Sequence, residues 1–275
     1  MSFTSRLRQI QKENSSLLCL GLDTDPAKIP ASLRTSENPQ LEFNRRIIEA
    51  TKDLVCAYKV NAAFYEAEGL NGWRAMKETV ELIPEELISI GDAKRGDIGN
   101  SSERYASALF DLMNFDAVTV SPYMGEDSLE PFLRSNERCA FVLVLTSNPG
   151  SRDIQRLKVG KKFLYEKVVE TALMWNRKKN IGFVVGATHP KELERVRKKA
   201  PAVPLLIPGI GSQGGSLESA VKYGCDKRGF MAVINASRSI LYASSGDDFA
   251  GAARREAMKL REEINTWREK FFGHR

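Results

Sequence analysis

Residues 87–98 read Leu87-Ile88-Ser89-Ile90-Gly91-Asp92-Ala93-Lys94-Arg95-Gly96-Asp97-Ile98, an apolar run that ends abruptly in charge. In an extended strand alternate side chains share a face, which puts Asp92 and Lys94 side by side. A glycine-containing bend follows, after which Asp97 can swing back toward them. Two acids and a base, with no His or Cys among them, point to charge-based chemistry that needs no metal.

Outward from this run, seven more of its kind recur. The eight stretches are 17–23, 54–61, 87–94, 117–122, 140–146, 181–188, 204–211 and 230–237. Amphipathic segments of helical length separate them. Between the third and fourth runs, Tyr105, Ala106, Leu109 and Met113 fall at helical spacing over 102–113. After the eighth, Ala257, Leu260, Ile264, Trp267 and Phe271 step by threes and fours, a stripe that packs a closing helix on the core. Continuous apolar runs alternating with helices describe a parallel sheet covered on its outside. Eight such units allow closure into an α/β fold, the (β/α)8 TIM barrel, and an open doubly wound sheet is the competing architecture. No linker, repeat or low-complexity segment divides the chain, so a single domain over 1–275 is predicted.

A length of 275 residues suits such a barrel, and the net charge of +6 is modest. The densest basic segments, 177–179 and 195–199, lack interleaved aromatic residues, so they read as solvated helix faces rather than a nucleic-acid surface. Cys19, Cys56, Cys139 and Cys225 form no CxxC pair and no metal-ligand spacing, and three of them lie in apolar strand-like runs, where free Cys reads as a small buried hydrophobe. Of the two histidines, His189 ends the sixth run as a rim residue and His274 lies in the tail. Neither builds a zinc site with these cysteines. Residues 1–11 hold no signal-peptide h-region, and no apolar run reaches the ~18 residues a membrane helix needs. A cytoplasmic protein without a membrane partner is expected.

Polar side chains gather where the runs end: Asp23, Lys59 and Asn61, Asp92 and Lys94, Thr146 and Ser147, Ser237 and Arg238. In a barrel these ends meet on one face, where active sites lie. The seventh run leads into Pro208-Gly209-Ile210-Gly211-Ser212-Gln213-Gly214-Gly215. Formally Gly209, Gly211 and Gly214 satisfy GxGxxG. A dinucleotide site, however, wants that loop after an early strand, with an acid closing the next strand. A backbone cradle for phosphate, with Arg238 as a bidentate fork, accounts for it better.

Together these motifs resemble the orotidine 5′-phosphate decarboxylase family in its longer bacterial (type 2) form. The core is Asp92-Ala93-Lys94-Arg95-Gly96-Asp97-Ile98, a D-x-K-x-x-D string. Around it stand 20–23, 58–66, 118–123, 145–150, the 208–215 loop and 235–238, in family order over about 17–242. The resemblance implies conversion of orotidine 5′-monophosphate to uridine 5′-monophosphate and CO2 in pyrimidine synthesis, without cofactor or metal. It implies a charged tetrad of Lys59, Asp92, Lys94 and Asp97, with Lys94 as proton donor, and substrate contacts from Asp23, Asn61, Ser101, Ser147, Pro208, Gln213, Ser237 and Arg238. Among these, Asp23 matches the ribose-contacting acid, Ser147 the pyrimidine-contacting hydroxyl, Gln213 and Arg238 the phosphate grip, and Pro208 the wall near the base. A homodimer is implied too, with Asp97 and Ser101 reaching the neighbouring site; the family usually has Thr where Ser101 stands. The segments 147–161 and 209–215 are candidate lids. Two other readings remain: a metal-dependent decarboxylase of 3-keto sugar phosphates on the same barrel, and a non-catalytic phosphate- or RNA-binding barrel.

Overall fold

The computed structural model describes residues 1–210 and 214–273. Its strands are β1 (Leu18–Gly21), β2 (Ala57–Asn61), β3 (Ile88–Arg95), β4 (Ala117–Val120), β5 (Cys139–Leu145), β6 (Lys158–Val159), β7 (Lys162–Phe163), β8 (Ile181–Val185), β9 (Leu205–Ile207) and β10 (Ala232–Ala236). Eight of them close a parallel ring in the order β1-β10-β9-β8-β5-β4-β3-β2. This is the predicted (β/α)8 barrel. β6 and β7 form a separate antiparallel hairpin inside the segment that follows β5.

Burial explains the ring. Every residue of β1, β4, β8 and β10 is buried, as expected of strands covered on both faces. Local signals set the helices between them. Asn38 caps the helix Pro39–Thr51, its Oδ1 accepting from Leu41 N–H at 3.1 Å, and Ser216 caps Leu217–Gly224 through Ser219 N–H at 3.2 Å. The closing helix Phe249–Phe272 buries Ala257 and Ile264 fully, with Leu260, Trp267 and Phe271 packed beside them.

Two features differ from the sequence expectation. Residues 1–11, for which the sequence reading gave only the lack of a signal-peptide h-region, form most of the amphipathic helix Phe3–Glu13, which buries Phe3, Leu7 and Ile10. Phe3 meets Phe141 of β5 edge-on at 6.1 Å, and Arg6 pairs with Asp116 at 2.6 Å, so this helix covers the N-terminal end of the barrel. The helical pattern at 102–113 begins earlier, as Gly99–Ser107, and then widens into a π turn over Ala108–Leu112. Leu109 and Met113 are buried as expected, whereas Tyr105 stays partly exposed under the Arg95 guanidinium.

Candidate active site

The barrel sequence places the chemistry through strand register. Gly21 of β1 lies beside Lys59 of β2, and Asn61 of β2 beside Asp92 of β3, so the charged ends of three strands converge. Lys59 is almost wholly buried, and its Nζ lies 3.1 Å from both Asp23 Oδ1 and Asp92 Oδ2. Lys94, half-exposed, places its Nζ 2.6 Å from Asp92 Oδ1. Asp92 thus bridges the two ammonium groups, with Asp23 at one end of the chain.

Lys94 does not reach this position by simple strand alternation. Between β3 and β4, Gly91 pairs with Val118 and Arg95 with Val120, so four steps along β3 face two along β4. The bulge puts Lys94 in the left-handed region, with φ of 49°. Thr119 of β4 fills the interrupted ladder. Its hydroxyl accepts from the Lys94 backbone N–H at 3.0 Å and donates to Asp92 Oδ1 at 2.9 Å. One side chain therefore fixes both the strained backbone and the carboxylate.

Electrostatics follow from these distances. Burial works against charge on both Asp92 and Lys59, but their mutual attraction outweighs it. Lys59 and Lys94, with the hydroxyl of Thr119, hold the Asp92 carboxyl well below the usual range. Asp23 and Asp92 hold the Lys59 ammonium above an ordinary lysine. Beneath them, burial pushes the Cys19 thiol up, so it stays protonated. All four cysteines are free, as their spacing predicts, and all four are buried, one more than the apolar runs suggested.

Asp23, Lys59, Asn61, Asp92, Pro208, Ser237 and Arg238 line one cavity of about 180 Å³, joined by Asn235 and Ser239. Asp23, Lys59 and Asp92 of the acid–base cluster therefore face the same space as the cationic fork expected from sequence, and Lys94 joins them through Asp92 from outside that wall. The backbone around Gly209 supports the close approach expected of that loop: its φ is 100°, and the Gly215 N–H donates to its carbonyl at 3.1 Å. Ser147 lies off that cavity's wall, against Gly186, where a Cβ would come within 3.0 Å of its Cα. Gln213 falls outside the described residues.

Asp97 and Ser101 are not brought to the cluster within one chain. The Asp97 carboxylate accepts from Ile98 N–H at 2.8 Å, and the expected swing back toward Lys94 does not occur. Ser101 is exposed on the helix Gly99–Ser107, which starts directly after the bend. Three residues were not singled out from sequence: Thr119, Asn235 and Tyr242. The Tyr242 hydroxyl accepts from Asp25 N–H at 2.8 Å and meets the Asp23 carbonyl at 3.1 Å, which fixes the backbone at Asp23. A lone hydroxyl in the otherwise apolar 117–120 run was the available signal for Thr119.

Among the described residues no group of three or more His, Cys, Asp and Glu side chains is arranged to hold a metal ion. No helix among them is long and apolar enough to cross a membrane.

The sequence profile of the orotidine 5′-phosphate decarboxylase / HUMPS family matches residues 16–254. The chain belongs to this family. An orotidine 5′-phosphate decarboxylase of Dehalococcoides mccartyi strain CBDB1 is 52% identical over 275 residues, covering 98% of this chain and all of the relative. The solved structure of Leishmania donovani OMP decarboxylase superposes with a TM-score of 0.83 at 42% identity, covering 98% of this chain and 99% of that one. The structure of Leishmania donovani UMP synthase gives 0.87 at 43% identity, and the present chain spans 57% of its length. The family resemblance seen in the motifs is thus a full-length one, on the same barrel.

Proposed function

We propose that the chain decarboxylates orotidine 5′-monophosphate to uridine 5′-monophosphate through its Lys59–Asp92–Lys94 network, without a metal. The observation that carries this reading is the alternating chain Asp23–Lys59–Asp92–Lys94, whose first three members line the cavity that Arg238 also lines, in a member of this family.

The chemistry sets the demand. When the C6–carboxylate bond breaks, its electron pair stays on C6 in the ring plane, where the carbonyl π-system cannot delocalise it. Electrostatic stabilisation is what a protein can add there. In this reading the Lys94 ammonium stabilises the developing charge and then donates a proton to C6; the resulting amine regains its proton from solvent. Two unit charges about 4 Å apart interact by roughly 4 kcal/mol at an effective dielectric near 20. That corresponds to about three orders of magnitude in rate. The remainder is assigned to positioning and to phosphate binding by the Gly209 loop and Arg238, remote from the reacting carbon. Asp23 is read as the ribose contact, with Asn61, Ser237, Pro208 and Ser147 around sugar and base.

The position of Asp97 and Ser101 on the rim supports a homodimer in which both reach the neighbour's cavity. Beside them the chain exposes Ile98, Tyr123 and Met124, and the two loops that carry these residues touch where Gly96 packs on the Ser121 carbonyl. The rival metal-dependent reading is disfavoured by charge: Asp23 and Asp92, the acids a cation would need, are already engaged by lysines. The test is loss of the orotate chromophore on adding purified protein, with and without chelator. Full turnover in chelator is expected. Turnover of a 3-keto sugar phosphate that chelator abolishes, or salt-sensitive RNA binding without decarboxylation, would replace the proposal.

A further inference from the structure

The start of the segment after β5 is held more firmly than a loop requires. Gln155 accepts the Thr146 N–H on its Oε1 at 2.8 Å, and its Nε2 donates to the Thr146 hydroxyl at 3.0 Å. That hydroxyl also donates to Asn148 Oδ1 at 2.6 Å. The Thr146 carbonyl faces His189 Nε2 at 3.1 Å, and His189 Nδ1 faces Arg156 Nη2 at 2.8 Å. These partners dictate the tautomer. A guanidinium can only donate and a carbonyl can only accept, so Nδ1 is the acceptor and Nε2 carries the proton. The same Arg156 nitrogen lies 3.0 Å from Glu192 Oε1. Burial, with the nearby Arg156 and Arg152, lowers the His189 pKa against the opposing pull of Thr146 and Glu192, consistent with the neutral ring this geometry needs. Gly186 completes the seat, since any side chain there would strike the Ser147 backbone.

Every polar group of Thr146 is therefore anchored one residue before Ser147. We propose that His189 and Gln155 are positioning residues, which fix the Thr146–Ser147 peptide and so aim the Ser147 hydroxyl at the pyrimidine. This rests on the reading of Ser147 as the pyrimidine contact. A rim histidine serving only solubility would not have both ring nitrogens engaged, one by the strand end and one by the segment that crosses beyond it.

The test is a double-mutant cycle on the full chain with orotidine 5′-monophosphate. Ser147→Ala, His189→Ala and Gln155→Ala are assayed singly, and the latter two again in the Ser147→Ala background. Each single positioning variant is expected to raise KM by about three- to tenfold with a smaller change in kcat. In the Ser147→Ala background neither should raise it further. Equal rises in both backgrounds would overturn the proposal by revealing a general structural effect. Unchanged KM in His189→Ala and Gln155→Ala, beside a raised KM in Ser147→Ala, would overturn it while leaving the Ser147 reading intact. Unchanged KM in Ser147→Ala itself would remove both. Should His189→Ala lose cooperative thermal unfolding, Gln155→Ala and His189→Gln carry the same cycle.

Discussion

At the residue scale, the site is organised by the sharing of Asp92 between two lysines that differ in exposure. Lys59 is sealed between two carboxylates, which suits it to balancing charge; Lys94 has one carboxylate partner and faces outward, which suits it to delivering a proton. Lys94→Ala should lower kcat by several orders of magnitude while a nucleotide analogue still binds, as measured by orotate absorbance and calorimetry. Near-normal turnover would remove Lys94 from the mechanism. Thr119→Val keeps shape and deletes the hydroxyl that ties Asp92 to the Lys94 backbone. Leaving those groups unpaired costs about 1–3 kcal/mol, so kcat/KM should fall by roughly tenfold or more. Arg238→Ala should mainly raise KM through lost phosphate binding, and an unchanged KM would contradict the cradle. The pH dependence follows from the directions of the two shifts. The depressed Asp92 contributes stability above its unfolded pKa near 4, and loses it as pH falls toward the lower folded value. The raised Lys59 contributes below about pH 10 and loses it as pH rises through its folded value. The stability gap between the native chain and Asp92→Asn should therefore narrow as pH drops from about 5 to 2 in denaturant titrations.

At the scale of elements, most of the barrel was legible because a strand buried on both faces writes itself as a short unbroken apolar run. The strand ends were legible too: Asp23, Lys59, Asp92 and Arg238 follow such runs and meet because parallel strands share a mouth. What the residues did not disclose depends on partners distant in sequence. The β3 bulge arises from its register with β4, so adjacency alone suggested a simple alternation of Asp92 and Lys94. The helix Phe3–Glu13 was hidden because its few apolar residues, Phe3, Leu7 and Ile10, are diluted by charge and matter only against the barrel floor. Asp97 was expected to swing back after the glycine-containing bend, but its carboxylate instead accepts from the N–H of its own neighbour, Ile98. Strand packing gives its own test at Gly182 of β8, where a Cβ would sit 2.4 Å from the Phe141 ring. Gly182→Ala should cost about 1–3 kcal/mol and lower Tm by several degrees, with little change in the site.

At the scale of the whole molecule, the two ends of the barrel divide the work: a helix and buried ion pairs cover one, and the charged cavity opens at the other. If Asp97 completes a neighbour's site, Lys94→Ala and Asp97→Ala protomers are each inactive alone. Mixed under conditions that exchange subunits, they should recover turnover, because one site of each hybrid then holds both native residues. Absence of recovery in hybrids verified by mass would assign Asp97 to its own chain. The closed ring also limits how such a pair can form. With β1 bonded to β10, none of the eight barrel strands presents an unpaired edge. A second copy, or any extended peptide, has no ladder there to continue, so sheet augmentation and edge-to-edge aggregation are closed to the folded barrel. Recognition passes instead through the elements around the ring, where a single substitution can alter it without disturbing a backbone hydrogen bond of the ring.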